Sequence, residues 1–135
     1  MPAPFLDSNI LVYAVSEDPR SEIARTLIQQ HFVISIQCLN EFANVARRKL
    51  VMPWDEVDEA ISLLIHLADD VLPIDLALHK SAISLASRYG YSFYDALIVA
   101  AALKAGATVL YSEDMQSGHE LDEGLKIVNP FLAKS

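Results

Sequence analysis

The sequence predicts an α/β domain with a mostly parallel five-stranded sheet covered by helices on both faces. Three observations carry this prediction. Short β-like runs alternate with longer helical stretches along the whole chain. Parallel strands need connections of helix length, and the longer stretches supply them. Hydrophobic residues make up 53% of the 135 positions, enough for a sizeable core in a single domain spanning 1–135.

Taken in chain order, a strand over Pro4–Leu6 leads into a short apolar helix over Asn9–Val15 and a second helix over Pro19–His31. A strand over Phe32–Ile36 feeds a helix over Gln37–Leu50, in which Leu39, Phe42, Ala46 and Leu50 recur near helical spacing. A helix over Pro53–Ala68 and a strand over Val71–Ile74 come next. The helices over Leu76–Tyr89 and Phe93–Ala105 are closed by Gly90 and Gly106, residues suited to the left-handed backbone that follows a helix end. Strands over Thr108–Tyr111 and Lys126–Val128 complete the sheet; like the earlier strands they are short and rich in β-branched or aromatic residues.

Charge and cysteine content narrow the function classes. Eighteen acids against ten Lys and Arg give a net charge of -8, the wrong sign for holding nucleic acid by bulk attraction. A polyanionic substrate would require a local basic patch or bound cations. Cys38 is the single cysteine and has no internal disulfide partner, and no Cys-x-x-Cys pair or His cluster suggests zinc. His31, His66, His79 and His119 read as surface or partly buried residues. The start of the chain does not read as a signal peptide, and the apolar run Ala96–Leu103 is far shorter than a membrane span. A soluble protein of the reducing cytoplasm is expected.

In open sheets of parallel strands, ligands bind beyond the carboxyl ends of the strands. That rule selects Asp7, after the first strand, and the pair Glu113 and Asp114, after the fourth. Asp7 also has the character of a helix cap in Leu6-Asp7-Ser8-Asn9, and Asp114 that of a polar loop residue. With Asn9 in place of a second Asp, the Asp-x-Asp pattern of a phosphoaspartate phosphatase is not met. Glu41 lies at the border of the apolar stripe of its helix, with Asn44 and Arg48 following along one edge. Asp95 closes Ser92-Phe93-Tyr94-Asp95, a pattern that opens a helix and would place the acid at a cap. The helix that follows is apolar on all sides and therefore buried, so Asp95 sits at a partly desolvated spot with no basic residue in the first turn. Such a carboxylate is costly unless it is paired, hydrogen-bonded or bound to a metal, and a cation is a natural partner.

Considered together, Asp7, Glu41, Asp95 and Asp114 are four hard oxygen ligands without Cys or His. That set suits magnesium or manganese. Magnesium commonly bridges carboxylates and substrate phosphates, which points to hydrolysis of a phosphodiester.

Four segments in their order and spacing make the chain resemble PIN-domain proteins, and within them the small VapC-type toxins of toxin-antitoxin pairs. They are Phe5-Leu6-Asp7-Ser8-Asn9, Asn40-Glu41-Phe42, Tyr94-Asp95-Ala96-Leu97-Ile98 and Leu110-Tyr111-Ser112-Glu113-Asp114-Met115, with Leu125–Phe131 similar to the last strand. The resemblance spans nearly the whole length. It implies a three-layer α/β/α sandwich, one or two magnesium or manganese ions, and endoribonuclease activity. The four family acids fall on Asp7, Glu41, Asp95 and Asp114; Glu113 adjoins the last and competes with it for the assignment. Ser8 keeps the hydroxyl of the Thr common in the family, and Ser8 and Asn9 are read as support for the site. The resemblance also implies a homodimer and an antitoxin whose basic tail enters the acidic cleft.

Two divalent ions set against the four acids would move the net charge from -8 to about -4 and reduce repulsion of RNA. Arg47, Arg48 and Lys49 form the only run of three basic residues; Arg48 is the candidate phosphate contact, and a solvated helix end is the plainer account of the run. The expectation is a cytoplasmic, metal-dependent endoribonuclease toxin. The alternatives are a receiver-like or interaction module without enzymatic activity, and a PIN-type nuclease acting in RNA processing or on DNA. A receiver would need an Asp after a middle strand and a Lys after a later one, but Asp75 opens a helix and no Lys follows Tyr111.

Overall fold

The computed structural model describes residues 2–132. It contains eleven elements, in the order β1 (Phe5–Leu6), α1 (Ser8–Ala14), α2 (Ser21–Ile28), β2 (Val33–Ser35), α3 (Ile36–Arg48), α4 (Trp54–Leu67), β3 (Asp70–Leu72), α5 (Leu76–Tyr89), α6 (Phe93–Lys104), β4 (Val109–Tyr111) and β5 (Lys126–Val128). The five strands form one sheet in the order β3-β2-β1-β4-β5, and every neighbouring pair is parallel. The expectation of a mostly parallel sheet thus becomes an entirely parallel one.

Consecutive strand residues point to opposite faces, yet Phe5 and Leu6 are both fully buried, as are Ile34 and Ser35. Both faces are therefore covered, as an α/β/α sandwich requires. The core is completed by α6, in which every residue from Ala96 to Ala102 is buried, so the all-apolar circumference of this helix is explained by its central position. It packs against α5 and α3.

Element ends differ from the expectations where a polar side chain intervenes. Ile36 begins α3 instead of ending β2, because Ser35 has the extended backbone of an N-cap and its amide donates to Cys38 Sγ at 3.5 Å. Strand β3 runs over Asp70–Leu72 rather than 71–74: Pro73 has no N–H to donate to the ladder, while Asp70 pairs in register with Val33. Helix α2 is shorter than expected because Asp18 and Ser21 form a turn ahead of it, the Asp18 amide donating to Ser21 Oγ at 3.1 Å.

The chain leaves the central strand β1 outward through β2 and β3, then returns to place β4 on the other side of β1. The β1/β4 boundary is therefore the topological switch point, and its carboxyl edge is where an open parallel sheet forms a crevice. Among the described residues no helix is long and apolar enough to cross a membrane.

Candidate active site

Asp7 stands at that switch point. Its amide donates to the Tyr111 carbonyl at 3.0 Å, which ties the residue after β1 to the end of β4. The residue is 3% exposed. One carboxylate oxygen accepts from the Ser8 amide at 2.7 Å and the other from Ser112 Oγ at 2.7 Å. The cap expected of Asp7 is present, but the cap uses only Oδ1, and Oδ2 faces the loop that carries Ser112 and Asp114.

The other acids arrive from separate elements. Glu41 lies in the second turn of α3, where Ser8 Oγ donates to Oε1 at 2.7 Å and Gln37 Nε2 to Oε2 at 3.0 Å. Gln37, one helical turn before Glu41 and buried, fixes the carboxylate against the helix. Asp95 lies in the first turn of α6, and its amide donates to Ser92 Oγ at 3.3 Å, so the expected cap exists here too. Asp114 follows β4 and accepts from Asn9 Nδ2 at 3.2 Å; the same amide nitrogen lies 3.4 Å from Asp7 Oδ2.

These acids feel one another's charge. Burial pushes the Asp7 carboxyl up to about 7, against the hydrogen bonds from Ser112 and Ser8, and the charges of Glu41 and Asp95 raise it further. Asp95 is also raised, first by burial and then by Glu41 and Asp114. Among the described residues no salt bridge reaches any of the four. A cluster of carboxylates, one of them deeply buried, is left without a basic partner.

Glu113 and Asp114 are separated by their surroundings. Glu113 is taken by Arg20 Nε at 2.6 Å and by the Tyr13 hydroxyl, while its amide donates to Asn9 Oδ1 at 3.2 Å. It braces α1 against the β4 loop, and Asp114 is left facing the other acids. Arg48 is exposed and none of the hydrogen bonds or ion pairs described above involves it, whereas its neighbour Arg47 donates to the Met52 carbonyl and lies over the Trp54 ring. Asp75 caps α5 by accepting from the Leu78 amide at 2.8 Å and is 3.4 Å from Lys104, so it has the structural role expected of it.

Two residues of the site have no mark in the sequence reading. Ser112 is fully buried; besides donating to Asp7 it accepts from the Met115 amide at 3.2 Å. Its place directly after β4 is a strand-end position like that of Asp7, and it could have been selected on that ground. Gln37 could have been found from its four-residue spacing to Glu41.

A divalent ion suits this donor set. Among the described residues no group of three or more His, Cys, Asp or Glu side chains is placed to hold a metal ion. Magnesium does not need such a group: it keeps several waters and uses one or two carboxylates directly. The buried, unpaired Asp7 is the position at which a cation would relieve most desolvation.

Fold and site together define an α/β protein with an acidic crevice at the switch point of a parallel sheet. The sequence model of the PIN domain matches residues 5–117, and the chain belongs to the PIN-domain family. Among curated proteins, none matches the sequence significantly. Solved structures share the fold at low identity. The chain is similar to VapC20 of Mycobacterium tuberculosis, a sarcin-ricin loop cleaving toxin, at 22% identity and a TM-score of 0.71, over 83% of this chain and 90% of that one. It is similar to a chain of a toxin-antitoxin complex from Klebsiella pneumoniae at 16% identity and a TM-score of 0.72, over 96% and 98%. A chain of VapBC2 from Rickettsia felis, bound to a DNA fragment from its promoter, aligns at 17% identity and a TM-score of 0.65, over 93% and 96%.

Proposed function

We propose that this protein is a metal-dependent endoribonuclease and the toxin of a type II toxin-antitoxin pair. The observation that carries the reading is the Asp7 carboxylate at the switch point, raised chiefly by burial and further by Glu41 and Asp95, and without a basic partner among the described residues. Asp7, Asp95 and Asp114 would hold magnesium or manganese, with Glu41 holding a second ion or orienting the attacking water. The bound ion would supply Lewis acidity toward a phosphodiester and lower the pKa of water. The chain's own residues do the positioning. Ser112 and the Ser8 amide aim the two oxygens of Asp7, Ser8 Oγ and Gln37 hold Glu41, and Asn9 spans Asp7 and Asp114.

The antitoxin reading draws on the family resemblance and on the likeness to chains solved in toxin-antitoxin complexes. An acidic crevice suits a basic peptide tail as well as a cation. Arg48 is a candidate phosphate contact on the helix that bears Glu41, and a cytoplasmic homodimer is part of the same reading.

Cleavage of single-stranded RNA by the purified protein in magnesium or manganese, and its loss in chelator, tests the activity. Parallel assays on tRNA and duplex DNA separate a toxin-like ribonuclease from a processing or DNA nuclease. No cleavage of any of these by wild type, with either ion, would sink the reading. Co-purification with a small basic-tailed inhibitor from the native host tests the pairing.

A further inference from the structure

Two clefts open off the acids, and both carry aromatic rings. The first, about 320 Å³, is lined by Tyr91, Ser92, Gln116 and His119 together with Asp95 and Asp114. The Tyr91 hydroxyl and His119 Nδ1 are 2.8 Å apart, and Tyr89 lies edge-on to His119 at 5.4 Å between centroids. The rings of this wall are therefore held in place by one another. The second cleft, about 260 Å³, is lined by Gln37, Asn40, Asn44 and Tyr94 together with Glu41. Tyr94 is 61% exposed, in the first turn of a helix whose residues from Ala96 to Ala102 are buried.

An exposed tyrosine beside the acids, and a braced tyrosine-histidine wall on the other cleft, have no role in holding a cation. Nor does the core need the Tyr94 ring. Aromatic faces beside a phosphate-binding centre are how proteins hold unpaired bases, because every base has a π-face. The side-chain amides of Asn40 and Asn44 and the polar groups of Ser92 and Gln116 offer donors and acceptors for base edges.

We propose that these clefts are two nucleobase subsites, which hold a single-stranded polynucleotide across the acids with one base against Tyr91 and His119 and another against Tyr94. The inference rests on the nuclease reading and deepens it: it selects unpaired over duplex substrate, since paired bases are not free to stack on side chains.

The test is the affinity of a labelled single-stranded RNA octamer and of an abasic octamer with the same backbone, measured by anisotropy in calcium. Wild type is expected to bind the normal octamer roughly 5- to 100-fold more tightly than the abasic one. Tyr91→Leu and Tyr94→Leu should each remove a large part of that preference and leave abasic binding unchanged, while Tyr91→Phe and Tyr94→Phe keep it. Because the Tyr94 ring is exposed, Tyr94→Leu decides the matter even if Tyr91→Leu fails to fold. Equal binding of the two octamers by wild type, or Leu variants of unaltered preference, would overturn the subsites. Cleavage of the normal octamer in magnesium keeps the two ideas apart. A protein that cuts without base preference retains the nuclease reading and loses the subsites; one that shows the preference without cutting retains the subsites alone.

Discussion

Ser8 Oγ donates to Glu41 Oε1 at 2.7 Å, joining the first turn of α1 to the second turn of α3 across 33 residues. It is also 3.4 Å from Asp7 Oδ1, so one hydroxyl lies between two acids of the crevice. Ser8→Ala removes that hydroxyl and leaves Glu41 with Gln37 as its hydrogen-bond donor. The expected cost is about 1 kcal/mol of stability, read by denaturant unfolding, and a roughly tenfold loss of cleavage rate. Ser8→Thr should restore both. An alanine variant that cuts at the wild-type rate would show that Glu41 needs no such positioning.

The pH dependence of stability follows from Asp7. Its carboxyl rises from 3.8 to about 7 on folding, chiefly through burial, so between these values the folded state binds more protons than the unfolded one. Stability is then fully present below about pH 4 and falls as pH climbs through 7, by on the order of a few kcal/mol. Asp95, raised in the same direction, contributes with the same sign. In chelator the melting temperature should drop between about pH 4 and 7, and magnesium should flatten that slope. Asp7→Asn should flatten it without metal and abolish cleavage. A pH-independent melting temperature in chelator would mean that Asp7 does not titrate in this range.

Glu113 and Asp114 make opposite predictions. Glu113→Gln loosens contacts to Arg20 and Tyr13 in a partly exposed setting, and is expected to cost about 0.5–1 kcal/mol of stability while cleavage survives. Asp114→Asn should leave stability nearly unchanged and cut activity more than 10-fold, the lower range seen when partners of a metal ligand are removed. Kinetics and chemical denaturation of the two variants, run side by side, decide the assignment; the reverse pattern would move the fourth acid to Glu113.

How far the sequence could be read depended on whether a feature was local. Helix α5 and strand β5 are found within the residues expected, because Asp75 and Gly90 bound the helix by cap chemistry and a left-handed turn. The end of β2 was not legible: Ile36 has the propensity of a strand residue, and only the capping geometry at Ser35 assigns it to α3. Asp7 and Asp95 were visible as acids at strand and helix boundaries. Their caps are real, so local pattern alone would have stopped there. What joins them is the β1/β4 switch point and the contact from Ser8 to Glu41, both products of tertiary packing. Glu113 and Asp114 are adjacent acids in one polar loop, and nothing in their spacing tells them apart. The distinction comes from Arg20 and Tyr13, about a hundred positions earlier in the chain.

Ser112 tests whether the crevice depends on the aim of Asp7 as well as on its charge. The hydroxyl is fully buried, donates to Asp7 Oδ2 at 2.7 Å and is among the influences that hold the Asp7 carboxyl down. In Ser112→Ala that restraint is gone, the Ser8 amide and Asn9 remain the only donors against burial and the neighbouring acids, and Asp7 holds its proton to higher pH. A protonated carboxyl is a poor ligand, so divalent affinity near neutral pH should fall by about 10- to 100-fold, the range typical for loss of an outer partner of a metal ligand. The rising limb of the cleavage profile should move to higher pH, and raising pH should recover part of the lost activity. A purely structural defect would lower the rate at every pH alike. Manganese titration and a pH-rate profile on the same variant therefore distinguish the two accounts, and an unshifted profile would show that Ser112 only supports the loop through the Met115 amide.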